Sequence, residues 1–155
     1  MIELPAAGAC QCQATTISVT TPGYVAYTCH CRACQRLSAS AFMTCMQVAA
    51  EGVTVTRGTP LTFARPTDSG NTLYVTYCGQ CSSALFANNS ARPRIATIFA
   101  GCLQDLASLP VDAHIWLRYK LPWVSVPASH RLFDGAGDWR EDYADDLARL
   151  LPEGN

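Results

Sequence analysis

Two short cysteine motifs lie far apart in the chain: Cys10-Gln11-Cys12 near the start and Cys78-Gly79-Gln80-Cys81 near the middle. A C-x-x-C turn directs two thiolates at one ion, and an extended C-x-C directs both side chains to one face of a strand. Together the two motifs offer four sulfurs, which is the ligand set of a closed, tetrahedral zinc site of the structural type. Because such zinc contributes on the order of 10 kcal/mol to folding, this site would decide whether the domain folds.

A third motif, Cys29-His30-Cys31-Arg32-Ala33-Cys34, offers three more sulfurs from one short loop. Three protein ligands leave one position of a tetrahedral ion open, which is typical of catalytic zinc. If the loop is extended, His30 points away from Cys29 and Cys31, so we expect it to support or pack against the site rather than bind the metal. The spacing alone also permits other divisions of the seven sulfurs.

The remaining cysteines, Cys45 and Cys102, stand alone in apolar surroundings. We predict that both are buried small side chains, although either could supply a fourth sulfur to the three-cysteine motif. A disulfide framework would use the same residues, but nine cysteines is an odd number and cytoplasmic thiols stay reduced. An iron–sulfur cluster is a weaker alternative, because zinc is more common with this cysteine spacing. A thioredoxin-type redox motif is also weaker, because the C-x-x-C does not lie in a βαβ unit.

Composition indicates one folded domain over residues 1–155, with 49% hydrophobic and 15% charged residues. The net charge of -1 argues against binding to nucleic acid or to an anionic membrane, both of which require a basic field. The first residues carry no basic and apolar signal sequence, and no stretch is apolar enough to span a membrane. We therefore expect a cytoplasmic protein whose partner is a small molecule; the sequence does not predict its oligomeric state.

Short runs rich in β-branched residues, separated by Gly and Pro, predict a mainly β domain of packed antiparallel sheets. The predicted strands are residues 13–20, 24–28, 41–48, 53–56, 61–65, 73–77, 94–99 and 114–117.

The C-terminal part of the chain has a helical pattern. Asp138 and Glu141 form a capping box, and Pro152 ends the run. Together they predict a helix over about 138–151 whose apolar face packs on the domain core, with a dimer contact as the alternative. The apolar face is formed by Trp139, Tyr143, Leu147 and Leu150.

The cysteine motifs and their flanks resemble the glutathione-dependent formaldehyde-activating enzyme family, whose pattern extends to centromere protein V. The resemblance lies in Gly8-Ala9-Cys10-Gln11-Cys12, in residues 29–36 and in Tyr77-Cys78-Gly79-Gln80-Cys81, and covers roughly residues 5–130. Residues 114–116 and 121–124 are similar to the C-terminal stretch of the family. The resemblance implies a β-tent fold and two zinc ions. It assigns Cys10, Cys12, Cys78 and Cys81 to a structural zinc, and Cys29, Cys31 and Cys34 to a catalytic zinc.

The resemblance also implies an activity, in which the enzyme joins glutathione to formaldehyde. This is the reverse of a carbon–sulfur lyase reaction. Glutathione carries two carboxylates, so we expect cations beside the three-cysteine loop, with Arg32 and Arg36 as the first candidates and Arg118 and Lys120 as the second. A non-catalytic zinc module that binds another protein, and a thiol or metal sensor, are the alternative functions.

The chain departs from the usual family pattern near each motif. Gln13 and Ser82 replace the glycines that usually follow the first and last motifs. After the three-cysteine motif, Gln35 replaces a basic residue, and Ser38-Ala39-Ser40 replaces a segment with glycine. All the predicted zinc ligands are kept.

Overall fold

The computed structural model describes residues 2–23 and 25–137. The predicted helix over 138–151 lies outside the described residues, as does Tyr24. Within them, the chain forms eleven strands and one α-helix, joined by short 3-10 turns. The elements are β1 (Ala6–Ala9), β2 (Thr16–Val19), β3 (Val25–Cys29), α1 (Arg32–Ser38), β4 (Met43–Ala49), β5 (Val53–Arg57), β6 (Leu61–Pro66), β7 (Thr72–Tyr77), β8 (Ala84–Asn89), β9 (Arg92–Phe99), β10 (Ala113–Ile115) and β11 (Arg131–Leu132).

The strands form two sheets. The smaller sheet has the order β1-β2-β5, and the larger has the order β11-β10-β3-β4-β9-β8-β7-β6. The predicted mainly β fold of packed antiparallel sheets is confirmed, with one addition at an edge of the larger sheet, where β10 pairs in parallel with both β3 and β11. The long connection that follows β9 makes this possible, since parallel neighbours need a crossover rather than a hairpin.

All eight predicted strands are present, with ends that differ by up to three residues. The prediction missed β1, β8, β11 and α1. The largest error in boundaries is at β2, which begins at Thr16 rather than residue 13, because the preceding residues turn back around Cys10. The three-cysteine motif is also not a plain loop, since α1 begins at Arg32, inside the motif.

Apolar side chains form two cores on opposite faces of the larger sheet. The side chains of β4 point to both cores. Met46 and Val48 lie in the core beneath the smaller sheet, whereas Met43 and Cys45 lie in the other core. Burial of side chains of this kind stabilises the fold by about 1.5–3 kcal/mol each.

The two cores separate the cysteine motifs. Cys10 and Cys78 belong to the core between the two sheets. Cys29 belongs to the second core, with Cys31 and Cys34 packed against it. The larger sheet therefore places the two groups of cysteines on different faces.

Candidate metal centres

The first and last motifs meet as the sequence predicts. The four sulfurs of Cys10, Cys12, Cys78 and Cys81 all lie within 4.8 Å of one another, and all four cysteines are free thiols. The Sγ atoms of Cys10 and Cys12 are 3.6 Å apart, and those of Cys12 and Cys78 are 3.9 Å apart. Tetrahedral zinc with Zn–S bonds of about 2.3 Å requires sulfurs about 3.8 Å apart. The donor set therefore fits zinc in both chemistry and spacing.

Tight turns present these sulfurs. After β1, the chain turns so that the Gln13 N–H donates to the Cys10 carbonyl, with Gln13 at φ 62°. Between β7 and β8, the Ser82 N–H donates to the Cys78 carbonyl, with Ser82 at φ 60°. Both residues replace the usual family glycines, and both adopt the left-handed backbone that favours glycine. The turns therefore keep their shape despite the two replacements.

Hydrogen bonds around the four-cysteine group favour the thiolate forms of Cys78 and Cys81. The Thr15 N–H donates to the Cys10 sulfur at 3.2 Å. A hydrogen bond from the Thr15 side chain lowers the pKa of Cys78, and one from the Ser83 hydroxyl lowers the pKa of Cys81 to about 5. Because metal binding requires thiolates, these donors prepare the group for a cation.

The three-cysteine group is also assembled, at the junction of β3 and α1. Cys29 ends β3, Cys31 caps the N-terminus of α1, and Cys34 lies in its first turn. Their three sulfurs lie within 4.8 Å of one another, and the Cys34 N–H donates to the Cys31 sulfur at 3.4 Å. The helix places Cys31 and Cys34 on one side, because residues three apart are neighbours on a helix.

The three sulfurs compete for protons in the metal-free chain. Hydrogen bonds from Cys29 and Cys34 lower the pKa of Cys31 to about 2, whereas the hydrogen bond to Cys31 raises the pKa of Cys29 well above its usual range. One thiolate therefore forms readily, but its charge opposes the others. A soft or borderline divalent cation such as zinc relieves that repulsion, so this donor set also fits zinc.

Neither isolated cysteine joins the three-sulfur group. Cys45 and Cys102 are buried, as expected, and their thiols face the carbonyls of Met43 (3.9 Å) and Leu85 (3.6 Å). Among residues 2–23 and 25–137, the group contains no fourth His, Cys, Asp or Glu ligand.

His30 does not belong to the group of three sulfurs and is fully buried. Its Nε2 lies 3.2 Å from the Thr28 hydroxyl, which lies 2.5 Å from Nδ1 of His114. Nε2 of His114 in turn lies 3.0 Å from Nδ1 of His130. Burial lowers the pKa of His30 to about 4 and also lowers the pKa of His114, so both rings are neutral at neutral pH. No sequence motif indicates this chain of rings, because its members come from three separate segments.

Gln35 connects the metal loop to its surroundings. Its Nε2 donates to the carbonyls of His30 (2.7 Å) and Tyr119 (3.0 Å). Its Oε1 accepts from Nη1 of Arg32 at 2.8 Å. The residue that replaces a basic residue of the family pattern is therefore a bridge between α1, the metal loop and the turn at Leu117–Tyr119.

The predicted cationic residues differ in whether their side chains are free to bind a substrate carboxylate. Arg32 and Arg36 are exposed on α1. Arg118 forms an ion pair with Asp134 at 2.8 Å, and Lys120 donates to the Val124 carbonyl at 2.7 Å. The last two are therefore engaged in holding local structure.

Arg65 on β6 is a cation that the sequence analysis missed. It is half-buried, and its positive charge opposes the increase in the pKa of the Cys34 thiol. Nothing in the sequence indicates this, because β6 has the sequence of an ordinary surface strand and is the edge strand of the larger sheet.

A cavity of about 600 Å³ lies beside the metal loops rather than over them. Its lining includes Gln11, Ser38 and Gln104 but none of Cys29, Cys31 and Cys34, and it carries no charged side chain. We therefore do not assign it to the three-cysteine group.

Within the described residues, no helix combines the length and the apolar character needed to cross a membrane.

Comparisons with known proteins agree with this geometry. The sequence model of the glutathione-dependent formaldehyde-activating enzyme family matches residues 5–119, which include all seven clustered cysteines. A crystal structure of a protein from Rhodobacter sphaeroides shares the fold, with a TM-score of 0.53 and 20% identity over 68% of this chain and 98% of that chain. No curated protein sequence matches. The chain belongs to the glutathione-dependent formaldehyde-activating enzyme family.

Proposed function

We propose that this protein is a zinc-dependent enzyme of the carbon–sulfur lyase type, acting on the adduct of a thiol, such as glutathione, with a small aldehyde, such as formaldehyde. The observation that carries the proposal is the three-sulfur group of Cys29, Cys31 and Cys34, which converges without a fourth ligand from the described chain. A purely structural site would be closed, as the four-sulfur group is.

Each group would hold one zinc ion with a different role. Cys10, Cys12, Cys78 and Cys81 would enclose a structural ion, and Cys29, Cys31 and Cys34 would hold a catalytic one. Zinc at the second group would lower the pKa of a substrate thiol, so that a thiolate is available at neutral pH.

The chain's own residues bind and orient the reactants in this proposal. Arg32 and Arg36 lie beside the metal loop and would attract substrate carboxylates. The bridge from Gln35 to the His30 carbonyl keeps the loop in place. In the forward direction a bond forms between the thiol sulfur and the carbonyl carbon, and the thiol proton ends on the carbonyl oxygen. In reverse the same bond breaks and aldehyde is released.

We also propose that residues 1–155 form a single cytoplasmic domain whose partner is a small molecule rather than nucleic acid or a membrane. The near-neutral charge of the chain supports a small-molecule partner, because nucleic acid and anionic membranes require a broad basic field.

The proposal is tested with protein in which cobalt replaces zinc, because cobalt–thiolate absorption reports the ligands of each site. We expect glutathione to change the spectrum of the wild type and to accelerate its consumption of formaldehyde. Cys34→Ser should abolish both effects while the four-cysteine site stays loaded. Cys102→Ser is the matched control, because Cys102 is buried and belongs to neither group. A wild-type spectrum that does not respond to glutathione or to any small thiol would overturn the proposal.

A further inference from the structure

The cavity beside the metal loops takes no part in the proposed function. Its volume of about 600 Å³ lies within the range of about 300–1,000 Å³ that is common for small-molecule sites. Cys10 and Gln11 of the four-cysteine loop line it, as do Leu37 and Ser38 of α1. The cavity therefore lies between the elements that carry the two sulfur groups.

Buried apolar side chains form part of the lining. Met43 and Phe99 belong to the core that holds Cys29, and Leu103 belongs to the core beneath the smaller sheet. Each of these three residues is at most 7% exposed. The cavity therefore reaches both cores and offers apolar surface to the body of a ligand.

Three carboxamide side chains of the lining are free to bind a ligand. Gln11, Gln13 and Gln104 are exposed, and within the part of the chain that the structure describes their side chains form no hydrogen bond to the protein. The Ser83 hydroxyl, in contrast, already accepts from the Gln11 N–H at 3.1 Å. Because a carboxamide offers both donors and an acceptor, it is the complement of an amide group.

The charge of the lining narrows the class of ligand. Among the described residues, the lining contains no Asp, Glu, Lys, Arg or His. A charged ligand would lose part of its hydration there without a counter-charge, which is costly. An amide would keep its hydrogen bonds by pairing with the carboxamides. The lining therefore favours an uncharged ligand.

We propose that this cavity binds a small, uncharged organic molecule with an apolar body and amide groups, of about the size of a capped amino acid. The site is separate from the three-cysteine group, whose members do not line it, so the inference does not rest on the proposed function. The competing interpretation is that the three glutamines are solvated surface residues and that the cavity holds only water.

The probe for the test is N-acetylleucine methylamide, which is uncharged, has two amide groups and contains no thiol. It is titrated into the zinc-loaded full chain, and the shifts of backbone amide NMR signals are followed. We expect a dissociation constant of about 1 mM or tighter for a ligand of this size. The shifted signals should include those of Ser83, Gly101 and Gln104, which line the cavity. N-acetylleucine, with a carboxylate in place of one amide, should bind at least about 10-fold more weakly.

Two variants test the location. Gly101 lines the cavity, and a Cβ there would meet nothing within 4 Å, so Gly101→Trp should fill the cavity, keep the fold and abolish binding. Gln104→Leu removes a carboxamide at similar size and should weaken binding about 3- to 10-fold. The matched controls are Ala64→Trp on β6 and Gln80→Leu, both at exposed positions outside the lining. Both controls should bind the probe as the wild type does.

Four results would each overturn the inference: no shift of the cavity signals, shifts confined to other residues, equal binding of the acid, or full binding by Gly101→Trp. None of them affects the proposed function, and Cys34→Ser should bind the probe as the wild type does. The zinc content of each variant establishes that it folds. If Gly101→Trp does not fold, Gln104→Leu and the comparison of the amide with the acid still decide the outcome.

Discussion

Three residues other than glycine adopt left-handed backbone angles beside the metal-binding turns: Gln13 (φ 62°), Ser82 (φ 60°) and Ala39 (φ 49°). Gln13 and Ser82 follow the cysteines of the four-sulfur site, and Ala39 caps the C-terminus of α1. Each position is one where the family pattern usually has glycine or a segment that contains it. A left-handed residue with a Cβ costs about 1–2 kcal/mol. The departures from the pattern therefore reduce stability but leave the ligands in place.

Replacement of Ala39 by glycine tests this account. We expect Ala39→Gly to stabilise the protein by about 0.5–1 kcal/mol in urea unfolding, because relief of the left-handed strain exceeds the added entropy of the unfolded chain. Ala33→Gly, a change of the same atoms inside α1, should destabilise it. Equal destabilisation by both changes would contradict the assigned strain.

A second residue-scale prediction concerns Gln35. Gln35→Ala removes the hydrogen bonds to the carbonyls of His30 and Tyr119. We expect a loss of about 1–3 kcal/mol of stability and faster transfer of zinc from the three-cysteine site to a chelator. Gln80→Ala alters an exposed residue of the other metal loop and should change neither quantity. If Gln35→Ala leaves the zinc transfer rate unchanged, the bridge does not hold the loop.

At the scale of elements, the turn after β5 supports the first metal loop. Gly58 has φ +83°, and a Cβ there would lie 2.3 Å from the Ala14 carbonyl oxygen. Ala14 precedes Thr15, whose N–H donates to the Cys10 sulfur. The turn therefore packs directly behind a ligand loop, with no room for a side chain.

A pair of substitutions isolates this contact. Gly70 has φ +81° but open space around it, so Gly70→Ala should cost about 1 kcal/mol for the backbone alone. Gly58→Ala should cost about 1–3 kcal/mol more because of the clash, as measured by urea unfolding. Similar losses for the two variants would show that the loop accommodates the added methyl group.

Strands with a strong local pattern were predictable from the sequence, whereas elements defined by their neighbours were not. β2 and β5 contain alternating β-branched residues and were found. β1, with the sequence Ala-Ala-Gly-Ala, has little β-propensity and is a strand because it pairs with β2.

The candidate site shows the same division. Cysteine spacing predicted that each motif would present its own sulfurs together, since ligands within one motif are close in any fold, but the division into four and three sulfurs was assigned only by the family resemblance. His114 and His130 reach Thr28 and His30 only through the pairing of β10 with β3 and the long connection that follows β10, which the sequence does not reveal.

At the scale of the whole molecule, the buried histidines make stability depend on pH. The pKa of His30 is lowered by burial to about 4, whereas an unfolded histidine titrates near 6.5. Between these values the unfolded chain binds more protons, so stability falls as the pH falls from about 6.5 towards 4. His30 alone accounts for a loss of up to about 3 kcal/mol.

The prediction is checked by urea unfolding of the wild type and of His30→Gln at pH values between about 4 and 6.5. The stability of the variant should fall less steeply with decreasing pH. Zinc content is measured at each pH, and only pH values at which both proteins hold the same amount of zinc are compared. Parallel curves would mean that His30 is not held neutral by the fold.

The account depends on two metal sites with different roles on opposite faces of one sheet, and a count of bound zinc tests this most directly. We predict two zinc ions per chain in the reduced wild type, one in a folded Cys34→Ser variant, and loss of the fold in Cys78→Ser, where the four-sulfur site is broken. A single ion in the wild type, or a Cys34→Ser variant that keeps two, would contradict the account.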